Sequence, residues 1–148
     1  MKIVICGSVN FTPKLKEVSD QLETMGHQTF LPYYSTKIIN NEVDLDEYVQ
    51  EKEKNGDVSL RNDAKEDLIK RYFKKIKESD AIIVVNIEKN GIENYIGGNT
   101  FLEMGFAYVL DKKLFLLNDV PILNYKDEII AMKPIILNGN LKLISNHW

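Results

Sequence analysis

The sequence predicts an α/β fold with about five parallel strands and helices on both faces of the sheet. Three observations predict it. Short, unbroken apolar runs such as Lys2-Ile3-Val4-Ile5-Cys6 and Ala81-Ile82-Ile83-Val84-Val85 recur along the chain. Such runs belong to strands buried on both faces. Between them, apolar residues return at helical spacing, and glycine or proline stands at the junctions. Alternating strands and helices of this kind pair in parallel through right-handed crossovers.

The elements follow in order. The first strand, 2–6, ends at Gly7-Ser8, and Pro13 suits the first turn of the next helix. Leu15, Val18, Leu22 and Met25 mark the buried stripe of that helix, and Gly26 stops it. Gln28-Thr29-Phe30-Leu31 is a second short strand, closed by Pro32. Residues 33–61 form an acidic excursion: between Glu42 and Asp57 seven acidic residues stand against two lysines. Such a segment reads either as a solvated mixture of helix and loop or as a lid over the strand ends.

A helix is expected over 63–79, with Leu68, Tyr72 and Ile76 on one face and Ile69 and Phe73 beside them. The third strand, 81–87, is followed by a glycine loop, a helix reaching about Leu110, and a fourth strand at 114–117. A short helix over 125–132 leads to an edge strand at 133–137, where Pro134 breaks no central ladder. The whole describes one domain spanning 1–148, of Rossmann-like or flavodoxin-like type.

Composition narrows the function. At 44% apolar and 28% charged, the 148 residues suit a globular domain with a sizeable core. A single cysteine forms no internal disulfide, and with two histidines it makes no convincing zinc site, so neither metal nor redox cofactor is expected. No apolar run approaches the ~20 residues of a membrane span, and the N-terminus enters a strand without a leader pattern, so a cytoplasmic location is expected. A net charge of −3 argues against a nucleic-acid polymer but leaves a small nucleotide open.

Several catalytic signatures are absent. Gly97, Gly98 and Gly105 do not form G-x-G-x-x-G, and neither a Walker loop nor a G-x-S-x-G elbow occurs. Cys6 reads as a core residue.

The most informative stretch is Tyr95-Ile96-Gly97-Gly98-Asn99-Thr100-Phe101-Leu102-Glu103-Met104-Gly105-Phe106-Ala107. It sets one carboxylate, Glu103, near the start of an otherwise apolar helix after a glycine-rich loop. Two readings stand side by side. Thr100-Phe101-Leu102-Glu103 satisfies the capping box, in which Thr100 accepts the Glu103 N–H and the Glu103 side chain returns to Thr100. Alternatively, this loop and the Gly7-Ser8 turn lie together at the strand carboxyl ends, where α/β folds bind ligands. Gly7 and Gly98 would then let a ligand approach the backbone, and the helix dipole would hold Glu103 ionised.

Cys6-Gly7-Ser8, Ser79-Asp80-Ala81 and above all Glu103-Met104-Gly105-Phe106-Ala107 give the chain a resemblance. It resembles the nucleoside 2-deoxyribosyltransferase superfamily, which includes the deoxynucleoside 5′-monophosphate N-glycosidases, from Lys2 to about Leu137. The resemblance implies that Glu103 attacks the anomeric carbon of a nucleoside or nucleoside monophosphate. Release of the base leaves a glycosyl-enzyme, resolved by another base or by water. It implies no cofactor, and a homodimer or higher homo-oligomer. It also places Gly7, Ser8, Gly97, Gly98, Asn99 and Tyr72 around the substrate.

The chain departs from the family pattern at several of these positions. Tyr72 stands eight residues before Asp80, where the family usually has aspartate, and Gly97 stands where it has aspartate or serine. Asn99 replaces a frequent glycine, and Val9-Asn10-Phe11-Thr12-Pro13 lacks the arginine of the monophosphate hydrolases' loop. Tyr72 and Gly97 thereby also fit a non-catalytic nucleotide-binding or sensing module.

Further residues carry paired readings. Ser8 either contacts ligand or caps its turn, and Asn86 either contacts ligand or forms a turn. Tyr33 and Tyr34 either stack on a base or pack beneath the acidic excursion. Tyr95 either covers the pocket or stands exposed, and Asp80 reads as a turn cap.

Overall fold

The computed structural model describes residues 1–56 and 67–147. Its five strands are β1 (Lys2–Cys6), β2 (Gln28–Phe30), β3 (Ala81–Val84), β4 (Lys113–Leu116) and β5 (Ile135–Ile136). They form one all-parallel sheet in the order β2-β1-β3-β4-β5, the predicted α/β class. β5 is an edge, which is where Pro134 belongs.

Among the described residues, six α-helices accompany the sheet: α1 (Thr12–Thr24), α2 (Tyr33–Ile39), α3 (Leu45–Asn55), α4 (Leu68–Lys77), α5 (Gly98–Val109) and α6 (Lys126–Ala131). α1 carries Pro13 in its first turn, buries Leu15, Val18 and Leu22, and ends before Gly26 at φ 89°, a left-handed conformation that stops a helix. Asp67 caps α4 by accepting the Lys70 N–H at 3.1 Å. Asp44 does the same for α3 through Glu47 at 3.0 Å. The described part of the acidic excursion, 33–56, is therefore mostly helical, and α3 buries none of its residues. Positions 57–61 of the excursion and 63–66 of the helix expected over 63–79 lie outside the described residues.

The period-two alternation of the strands divides the core. Ile3, Ile5, Ile83, Val85 and Phe115 pack with Leu15, Val18 and Leu22 of α1 on one face. Val4, Cys6, Ile82, Val84, Leu114 and Leu116 pack with Ile76 of α4, Met104 and Ala107 of α5, and Ile129 of α6 on the other. Cys6 thus belongs to the face that α5 covers. The strand order reverses between β1 and β3, so the loops leaving these two strands diverge and open a crevice at their carboxyl ends.

Candidate functional site

That crevice is a cavity of about 1140 Å³. Gly7 and Ser8 reach it from the loop after β1, Tyr33 and Tyr34 from α2, Tyr72 from α4, and Gly97 to Glu103 from the start of α5, apart from Phe101. The seven residues that the resemblance implies at the site (Gly7, Ser8, Tyr72, Gly97, Gly98, Asn99 and Glu103) all line this one cavity. They come from three separate stretches of chain, brought together by the sheet topology.

The local chemistry of Glu103 departs from expectation in two ways. α5 starts at Gly98 with Gly97 as its cap residue and no side-chain cap bond, so the capping box is not formed. Thr100 is the third helical residue and is buried, and Glu103 is the sixth. Beyond the first turn the helix dipole has little hold on a charge. Desolvation prevails: burial pushes the Glu103 carboxyl up to about 8, against a smaller lowering from a hydrogen bond with the Cys6 thiol. Glu103 therefore stands mostly protonated at neutral pH, contrary to the expected ionised state. What exposure it keeps faces the cavity.

Cys6 is fully buried at the end of β1 beneath Glu103. Burial, and then the neighbouring Glu103 charge, push its thiol well above the ordinary range, so it is a neutral donor and not a nucleophile. The Tyr72 hydroxyl donates to the backbone carbonyl of Ile5, one residue from Cys6. Burial, Cys6 and Glu103 all raise its pKa. Tyr72 thus buttresses β1 with its polar end while the rest of it lines the cavity. Tyr72→Phe is expected to cost about 1 kcal/mol in chemical denaturation and to leave any base-releasing activity within a few-fold. A loss of ~100-fold would instead mark a proton donor.

Glycines play different parts. A Cβ at Gly98 would meet nothing within 4 Å, so the backbone there is open to a ligand. At Gly7 a Cβ would lie 2.9 Å from Leu15 Cδ2 and 3.2 Å from the Val85 carbonyl oxygen. Close packing of α1 on the sheet therefore requires glycine at position 7. At Gly97 a Cβ would sit 3.3 Å from the Tyr95 ring.

Other residues resolve as follows. Ser8 accepts the Asn10 N–H at 3.3 Å and also lines the cavity. Asn86 does not line it; its side chain is tied to Asn118 and Asp119. Asp80 accepts the Lys2 N–H at 2.7 Å, anchoring the start of β1. Tyr34 packs against Tyr48 of α3 at 5.1 Å between ring centroids, so the tyrosines do lie beneath the excursion, and Tyr33 and Tyr34 line the cavity as well. Tyr95 also lines it.

Sequence reasoning missed the cations. Lys37 and Arg71 both lie over the Tyr33 ring at 5.0 Å, Lys75 lies over Phe30 at 4.7 Å and Lys89 over Tyr95 at 5.1 Å. All four line the cavity. They are scattered through the sequence, and no local motif announces them.

Among the described residues, no group of three or more His, Cys, Asp or Glu is placed to hold a metal ion. No helix among them is long and apolar enough to cross a membrane. In comparisons with known proteins, no family model and no curated protein matches the chain.

Proposed function

We propose that the chain is an N-glycosidase or 2-deoxyribosyltransferase acting on a nucleoside or nucleoside monophosphate, with Glu103 as nucleophile. The observation that carries the reading is the Glu103 carboxyl opening into a large cavity at the β1–β3 crossover, beside open backbone at Gly98. The resemblance of Glu103-Met104-Gly105-Phe106-Ala107 to the deoxyribosyltransferase superfamily supports the same assignment.

In this reaction a Glu103 oxygen bonds to the anomeric carbon as the carbon–nitrogen bond breaks. The bonding pair leaves with the base, which takes a proton from water. Water or a second base then displaces Glu103 and regenerates the carboxylate. Tyr33 and Tyr34 give the cavity an aromatic wall for the departing base, and Asn99 a hydrogen-bonding group for the sugar. The nucleophile must be ionised, so kcat/KM should rise with pH and level off above about 8. The resemblance also supports a homo-oligomer, and exposed Leu102, Tyr108 and Val109 on α5 give such an assembly an apolar face to bury.

The test is a panel of deoxy- and ribonucleosides and their monophosphates assayed for released base. Release that vanishes in Glu103→Gln supports the reading. A second reading, a nucleotide-binding module without turnover, draws on two observations: the Tyr72 hydroxyl is committed to Ile5, and Glu103 is protonated at rest. Thermal stabilisation by a nucleotide without release of its base would favour it.

A further inference from the structure

We propose that Ser8 and Lys89 form an anion subsite that holds a phosphoryl group, so that the cavity takes a nucleotide in preference to a free nucleoside. The inference rests on the reading of the ligand as a nucleoside or nucleotide whose sugar reaches Glu103, and it selects between the two.

Lys89 sits in the loop between β3 and α5, partly buried in the cavity wall. Its Nζ donates to the Ser8 Oγ at 3.3 Å and lies 5.1 Å from the Tyr95 ring centroid. Among the described residues it makes no ion pair. A partly desolvated ammonium with only a long bond to a neutral hydroxyl and an aromatic face has lost some hydration without gaining a counter-charge in contact with it. Burial lowers its pKa, and the ammonium of Lys52, which also lines the cavity, lowers it further; Glu53 opposes them. An anion arriving here relieves both effects.

Ser8 is suited to share that anion. Its oxygen is fixed by capping the Asn10 N–H, and its own proton spans a long 3.3 Å to Asn10 Oδ1. A phosphoryl oxygen offers that proton a stronger acceptor, and Lys89 a compact positive charge facing it. The wider wall agrees. Among the described residues, five cations (Lys37, Lys52, Arg71, Lys75 and Lys89) line the cavity against three carboxyls, of which Glu103 is mostly neutral and Glu42 lies 3.8 Å from Lys37, on a chain of net charge −3. The loop after β1 carries no arginine; the cation comes from a loop 81 residues further along.

The experiment measures binding of the four 2′-deoxynucleosides, their 5′-monophosphates and inorganic phosphate by calorimetry, using Glu103→Gln to prevent turnover. At least one monophosphate should bind about tenfold or more tightly than its nucleoside, and added salt should weaken that preference. Lys89→Met should erase the preference by lowering monophosphate affinity far more than nucleoside affinity, and Lys89→Arg should keep most of it. Inorganic phosphate should compete with the monophosphate in the parent but not in Lys89→Met. Equal affinity for nucleosides and monophosphates, or a preference that survives Lys89→Met, overturns the subsite.

Base release by the otherwise unaltered protein is scored separately. A Lys89-dependent monophosphate preference without base release keeps the subsite and rejects the glycosidase. Release from nucleosides and monophosphates alike, indifferent to Lys89→Met, does the reverse.

Discussion

Glu103→Gln is expected to abolish base release and, in the same protein, to increase stability at alkaline pH. Both effects have one cause. The folded protein holds the Glu103 proton up to about pH 8, whereas an ordinary glutamate with a pKa near 4.5 releases it far earlier. Between those values the folded state binds more protons than the unfolded chain, so stability falls as pH rises through that window. Above about 8 the protein carries a carboxylate in a place that disfavours charge.

Glutamine keeps the shape and has no charge to desolvate. Because Glu103 retains some exposure to the cavity, the full shift overstates the effect, and a gain of roughly 2–4 kcal/mol at pH 9 is expected. Near pH 4 the gain should vanish. Urea unfolding of both proteins at the two pH values checks this, and equal stability at pH 9 would contradict it. A residue that lowers stability where it is ionised is what a functional carboxylate looks like in energetic terms.

Asn86→Ala carries the second large expected effect, on stability alone. Asn86 is fully buried just beyond β3. Its Nδ2 donates to the carbonyls of Asn118 and Asp119 at 3.2 and 2.9 Å, and its Oδ1 accepts the Asn118 N–H at 2.9 Å. The Asn118 side chain returns a bond to the Asn86 carbonyl at 3.0 Å. This closed network fastens the turns after β3 and β4 to each other. Truncation strands several polar groups away from water, at a cost of roughly 2–4 kcal/mol. The melting temperature should fall by about 6–12 °C, while ligand affinity of the folded fraction stays unchanged. A stable variant that no longer binds nucleotide would return Asn86 to the site.

The same two residues show what the sequence made legible. The strands declared themselves because unbroken apolar runs have few other uses, and their order followed from strand–helix alternation. Gly7, Ser8, Gly97, Gly98, Asn99 and Glu103 were legible as neighbours because the carboxyl ends of β1 and β3 must adjoin, Tyr72 only through the family resemblance, and all seven line the cavity. What escaped depends on contacts across space. Asn86 meets Asn118 some 32 residues away, and Lys89 meets Ser8 from 81 residues away. The protonation of Glu103 misled for a related reason. Thr100-Phe101-Leu102-Glu103 has the form of a helix start, but the helix begins at Gly98. Glu103 is then carried past the dipole and down towards Cys6, where burial sets its charge.

The central claim, that the Glu103 carboxylate bonds to a sugar carbon, is tested most directly by trapping. A 2′-deoxy-2′-fluoro nucleotide substrate slows both steps by destabilising the oxocarbenium-like transition state, so a covalent glycosyl-enzyme should accumulate. Proteolysis and mass spectrometry should locate the fluorinated sugar on the peptide containing Glu103, with no adduct in Glu103→Gln. Base release from ordinary substrate that persists in Glu103→Gln, or an adduct on another residue, would contradict the account.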